Sequence, residues 1–116
     1  MSGLAYKLVD AEEWRAVGDA YVGSDVDRAD GYIHMSTGDQ LAETAARHYR
    51  GRGSLLLLAV ETHRLGDALV WEPSRGGALF PHIYGPLPRR AVTSERALAV
   101  DADGVMQFED GAVGWN

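Results

Sequence analysis

Apolar and polar positions alternate in short blocks, each closed by Gly, Pro or Asp, which predicts many brief elements rather than a few long ones. Ala5 to Val9 reads as a first strand, and Asp10 followed by Glu13 is a capping-box-like helix start with Asp in place of Ser or Thr. Trp14, Val17 and Tyr21 then recur at helical spacing and predict a helix with one buried face. Gly23 to Asp30 is acidic and aperiodic, as expected of a surface loop. From Gly31 to Met35 the extended pattern returns. Ser36, Thr37 and Asp39 offer N-cap chemistry for a second helix that reaches about Tyr49, carries Leu41, Ala45 and His48 on one side, and stops at Gly51 and Gly53.

Ser54 to Val60 is a continuous apolar run, the pattern of a central strand covered on both faces. Leu69 to Glu72 and Phe80 to Tyr84 are shorter strand candidates, separated by the Gly76-Gly77 turn. Ala91 to Val100 reads as a strand with Val92, Leu98 and Val100 on one parity, and Asp103-Gly104 predicts a hairpin turn into Val105 to Phe108. Two helices near the N-terminus followed mostly by strands give an α+β fold with a largely antiparallel sheet. At 116 residues there is length for one core, so residues 1–116 are expected to form one domain, with a loosely held Gly-rich tail from about Glu109.

Charge and composition narrow the function. A net charge of -6 argues against a broad nucleic-acid surface, which draws its affinity from Lys and Arg. The clusters Arg47/Arg50/Arg52 and Arg89-Arg90 read as solubilising, though a single anion pocket stays open. The absence of Cys excludes disulfides, thiol nucleophiles and Cys-ligated metals. The first residues lack a signal-peptide pattern, and Leu55 to Val60 falls far short of the roughly 20 residues that span a bilayer. A cytoplasmic location without membrane attachment is therefore expected.

Candidate chemistry concentrates in Gly31-Tyr32-Ile33-His34-Met35-Ser36-Thr37 and Phe80-Pro81-His82-Ile83-Tyr84-Gly85. His82 and Tyr84 share parity on a strand, so one face presents an imidazole beside a phenol. His34 stands just before a helix start, where Ser36 and Thr37 could help hold a phosphate or carboxylate, or simply cap the helix, and first-turn Gln40 could point toward His34 or to solvent. Trp71-Glu72 places an indole beside a carboxylate. Burial against Trp71 would raise the Glu72 pKa, whereas pairing with a base such as Arg75 would hold it ionised, and Trp71 serves as core or pocket wall. His34, His82 and Tyr84 are expected to line one concavity toward which the second helix points its N-terminus. His48 and His63 read as surface residues. His34, His82 and Glu72 are the types of a two-histidine, one-carboxylate metal site, but their spacing fixes no ligand set.

The segments GYIHMST with Gln40, Arg47-His48-Tyr49 with Gly51, Trp71-Glu72, and FPHIYGPL, spread in order from about Tyr6 to Leu98, resemble the bacterial domain of unknown function 952 family. That family in turn resembles the ADP-ribosyltransferase group, which implies a small split sheet with a nicotinamide-dinucleotide cleft between its halves. By this resemblance His34 would hold a ribose, Tyr84 or His82 would line the base pocket, and Glu72 would supply the transition-state charge, with Ser36, Thr37, Gln40 and Trp71 as further binding residues. NAD is then the candidate substrate, and no cofactor is needed for structure. Two other readings stand beside this enzyme: a non-catalytic module that binds a nucleotide or metabolite, and a small metal-assisted hydrolase.

Overall fold

The computed structural model describes residues 3–110, apart from the Arg75 side chain; most of the tail beyond Glu109 lies outside them, as does any pairing of Glu72 with Arg75. Among the described residues there are three α-helices, not two, and all named strand pairs are antiparallel. The domain is α+β.

A four-stranded sheet forms the centre, in the order β1 (Leu4–Asp10), β4 (Leu55–Glu61), β8 (Val92–Val100), β9 (Met106–Phe108). The apolar run of β4 is buried on both faces, as its sequence demands. Leu56, Leu58 and Val60 face one core with Ile33 and Ile83, while Leu55, Leu57 and Ala59 face a second core with Leu41 and Ala45. Those last two residues belong to α3 (Gly38–His48), whose Thr37 N-cap and Gln40 form a reciprocal capping box, and His48 is exposed beyond its apolar side. The Asp103-Gly104 turn joins β8 to β9 as expected. Gly104 has φ 86°, and a Cβ there would lie 2.9 Å from the α3 backbone, so the hairpin docks too closely on that helix for any side chain.

Three readings of the pattern are corrected. The first helix, α1 (Ala11–Ala16), ends before Val17, which is extended, and Tyr21 lies in the short strand β2 (Ala20–Tyr21). Arg89 stops it: the guanidinium donates to the carbonyls of Trp14, Val17 and Gly18 and stacks 4.2 Å over the Trp14 ring. Tyr21 still meets Trp14, edge to face at 5.9 Å, through the return of the chain rather than along one helix. The segment read as a loop contains α2 (Asp25–Asp30), capped by Ser24. It shows no apolar period because its anchor is a buried carboxylate, Asp27, while Val26 is exposed. Finally, a bulge opposite Ala59/Val60 inserts Thr93 into β8, so Val92 joins the Ile33 core while Leu98 and Val100 face α3.

A second sheet has three strands, β3 (Ile33–His34), β6 (Leu79–Ile83) and β5 (Leu69–Pro73), in that order, and a two-stranded ribbon pairs β2 with β7 (Leu87–Pro88). The three-stranded sheet packs its Ile33, Ile83 and Leu69 face against the central sheet. Its other face carries the candidate chemistry. No helix among the described residues is long and apolar enough to cross a membrane.

Candidate functional site

Register decides which side chains meet. His34 pairs with His82 across β3 and β6, and His82 pairs with Val70 across β6 and β5, so Tyr32, His34, His82, Tyr84 and Glu72 all fall on the outward parity. Trp71 falls on the other. It pairs with Pro81, is 46% exposed, and stands on the opposite face from Glu72, because neighbours in a strand point apart.

On the outward face Tyr32 stacks on His82 with ring centres 4.2 Å apart and also touches His34 at 4.8 Å and Tyr84 at 5.3 Å. His82 lies beneath, only 4% exposed, and its Nδ1 is 2.7 Å from Glu72 Oε1. The Tyr84 hydroxyl donates to both oxygens of Glu72, at 2.9 and 3.1 Å. These hydrogen bonds, from His82 first and Tyr84 second, hold the Glu72 carboxyl below its ordinary range, and the same bond to Glu72 pushes the Tyr84 phenol up. Glu72 is thus kept anionic. The upward shift that burial against Trp71 would give does not occur, since the indole is on the other face.

His34 is tied from both ends. Its Nδ1 lies 2.5 Å from Asp27 Oδ1 and its Nε2 2.9 Å from Asp30 Oδ2. Both ring nitrogens thus face carboxylate oxygens. Neither ring nitrogen is left to hold a ribose in this arrangement. Asp27, 2% exposed, also accepts from the backbone N–H groups of His34 and Ser24 and pairs with Lys7 Nζ at 3.0 Å. Burial alone would raise the Asp27 pKa, but the His34 hydrogen bond, the Lys7 charge and the backbone donors outweigh it and hold the carboxyl well below its ordinary range. Burial also pulls the Lys7 ammonium down, against the upward pull of Asp27.

This carries a consequence for acid stability. A carboxyl whose folded pKa is depressed contributes stability that is complete above its unfolded value and is lost as pH falls below it. With the unfolded value near 3.8, denaturant unfolding is expected to show stability falling from about pH 4 downward, by less in Asp27→Asn than in the parent. Equal slopes in the two proteins would remove Asp27 as the source.

Ser36, Thr37 and Gln40 are engaged elsewhere. Ser36 is buried, hydrogen-bonds Thr44 through its hydroxyl at 3.0 Å, and exchanges backbone bonds with Tyr6 on the central sheet. Thr37 and Gln40 cap each other, and Gln40 Nε2 donates to the Leu79 carbonyl, at the far end of β6 from Tyr84. Their polar groups bond α3 and the Leu79 end of β6 rather than the ring cluster. A cleft of about 280 Å³ does adjoin the cluster, but its walls are Val22, Asp27, Arg28, Tyr32 and the glycine turns at Gly31 and Gly85, with Pro86, rather than His34, His82 or Tyr84. No three His, Asp or Glu side chains among the described residues are grouped as metal ligands.

Asp27, Asp30 and Lys7 were absent from the sequence-derived site, and Tyr32 lay in its first segment without a role of its own. Lys7 carried a usable signal: a lysine inside the apolar strand Ala5 to Val9 requires a buried acid.

Residues 8–95 match the family described as "Protein of unknown function (DUF952)". The chain belongs to this family. It is similar to protein CC0527 from Caulobacter crescentus: to its crystal structure with 53% identity and a TM-score of 0.85, over 90% of this chain and 93% of that one. To the solution NMR structure of CC0527 it shows 51% identity and a TM-score of 0.78, over 95% and 97% of the two chains. No curated protein matches. The family thus covers both motif segments, including the whole ring cluster, and its description assigns no reaction.

Proposed function

We propose that the outward face of the three-stranded sheet binds a nucleotide-like small molecule and cleaves the glycosidic bond of a nicotinamide nucleotide such as NAD, in the manner of the ADP-ribosyltransferase group. The analogy to that group rests on the resemblance of the family and on residue types. The observation that carries the reading is Glu72, a part-exposed carboxylate held anionic by His82 and Tyr84 beside a stack of rings. When the ribosyl C–N bond breaks, its electron pair leaves on the pyridine nitrogen, the ribose becomes cationic, and water adds to it with loss of a proton. A carboxylate already fixed in place stabilises that cation without reorganising solvent.

The roles divide accordingly. Glu72 faces the developing charge, His82 and Tyr84 position it, and Tyr32 offers a ring surface. His34 braces the face through Asp27 and Asp30. Ser36, Thr37, Gln40 and Trp71 have no part in the reaction. A second reading, a module that binds without turnover, is favoured by one observation: His82 is covered by Tyr32 and so is poorly placed to exchange protons with a ligand.

Nicotinamide release from NAD, followed with thermal melting, tests both. The parent protein is expected to release nicotinamide and Glu72→Gln to lose about 100-fold of that rate while melting as the parent does. Stabilisation by NAD without release would establish the binding module. Neither effect at millimolar NAD would overturn both.

A further inference from the structure

We infer that the open edge of β5 takes up an extended segment of another protein as a further antiparallel strand, with a basic side chain beside Glu72 and an apolar one beside Trp71. The inference is independent of any reaction on the outward face.

The edge is defined by the hydrogen bonds already made. Strand β5 is the last of its sheet, and among the described residues no strand pairs with its far side. The Tyr84 N–H donates to the Ala68 carbonyl and the Ser74 N–H to the Ala78 carbonyl, so by the alternation of an antiparallel ladder Val70 and Glu72 bond β6. Leu69, Trp71 and Pro73 therefore turn their backbone groups outward. Their three carbonyls face the edge, but the Trp71 N–H is the one donor, because Leu69 N–H is spent on the Gly66 carbonyl and proline has none.

This imbalance chooses the partner. An antiparallel strand centred on Trp71 makes four bonds: it exchanges two with Trp71 and donates one each to the carbonyls of Leu69 and Pro73. A second copy of β5 in the same place sets Pro73 against Leu69, where neither residue has an N–H to give, and keeps the two bonds at Trp71 alone. The edge is thus blunted against itself, yet complete for a strand with a donor at every second position. Side chains supply the rest. Trp71, 46% exposed, and Leu79, 53% exposed, continue the apolar parity of Leu69 and Ile83 beyond the core. Glu72, held by His82 and Tyr84 as a carboxylate, stands on the other face. Successive residues of an added strand meet these two surfaces in turn.

The test is an amide NMR titration of the whole chain with the end-capped pentapeptide Thr-Lys-Phe-Val-Thr, which sets its Phe opposite Trp71 and its Lys opposite Glu72. At millimolar peptide the Trp71 amide is expected to shift most. N-methylation of the peptide's Phe removes the donor to the Trp71 carbonyl and is expected to weaken binding about tenfold, whereas N-methylation of its Lys, whose N–H faces away from β5, should leave binding nearly unchanged. Replacing that Lys by Glu is expected to weaken binding about threefold, measured in Arg75→Ala so that the charge read is that of Glu72. Dilution of the protein without peptide should leave the Trp71 amide where it is. No shift at Trp71, equal effects of the two N-methylations, or equal or tighter binding of the Glu peptide would overturn the inference. A Trp71 shift that depends on protein concentration would overturn it too, by assigning the edge to a second copy.

Discussion

Lys7→Met is expected to destabilise the protein by about 3–5 kcal/mol, and Asp27→Asn by a comparable amount, because each leaves the other member of a buried ion pair without its partner. Lys7 is 6% exposed and Asp27 2%, so water cannot take over. Asp27 is also a junction. Its carboxylate meets the side chain of β1, the backbone at the start of α2, and both the backbone and the ring of His34. The double variant Lys7→Met/Asp27→Asn is expected to recover much of the loss, since replacing both charges removes the desolvation penalty that either alone leaves behind. Denaturant unfolding of the four proteins closes the cycle. Losses below about 1 kcal/mol in both single variants, or strict additivity in the double, would show that the pair is not a buried unit.

Trp14→Ala is expected to cost about 3–5 kcal/mol, from lost burial and an unfilled cavity. Trp14 is fully buried at the end of α1, against the edge of Tyr21 and beneath the Arg89 guanidinium. Without the indole, Arg89 loses the ring it stacks on while it holds the last carbonyls of that helix. Trp14→Phe is expected to cost much less. Among the described residues the Trp14 Nε1 is the buried side-chain polar atom that has no hydrogen-bond partner, and Phe removes that donor while keeping most of the apolar volume. Thermal and denaturant unfolding of the two variants measure the difference. If Trp14→Phe proved as damaging as Trp14→Ala, the indole N–H would have a partner that offsets its burial.

Elements whose identity lies in their own residues were legible in the sequence. The apolar run of β4, the Thr37 cap of α3 and the Asp103-Gly104 turn each declare themselves through local chemistry. Elements held by distant partners were not. The helix α2 has almost no apolar face, and its anchor Asp27 finds Lys7 twenty residues earlier in the chain, a pairing that no local period encodes. The end of α1 depends on Arg89, more than seventy residues away. The bulge at Thr93 is likewise invisible to a count of alternating positions.

The candidate site divides along the same line. His82 with Tyr84 could be read from parity on one strand, and Glu72 and His34 stand out in the sequence as isolated polar groups, but their assembly depends on register between strands. Trp71 was a misreading that alternation itself could have prevented. An indole beside Glu72 in a strand points away from it, so the two cannot share a pocket wall. Ser36 and Thr37 offered two meanings in sequence: Thr37 caps α3 together with Gln40, while the Ser36 hydroxyl bonds Thr44 instead.

The chain changes allegiance within a few residues of β3. His34 is paired with β6 of the smaller sheet, yet Ser36 already exchanges two backbone hydrogen bonds with Tyr6 of the central one, and between and before them Ile33 and Met35 point into the shared core. Pairing on both sides locks the spacing from Tyr32 to Ser36. One residue gained or lost there would turn Tyr32 and His34 inward and bring Ile33 and Met35 out, emptying the core and dismantling the ring cluster in the same event. Chemical variation on this face is therefore open to substitution and closed to changes of length, with the interior of the molecule acting as its ruler.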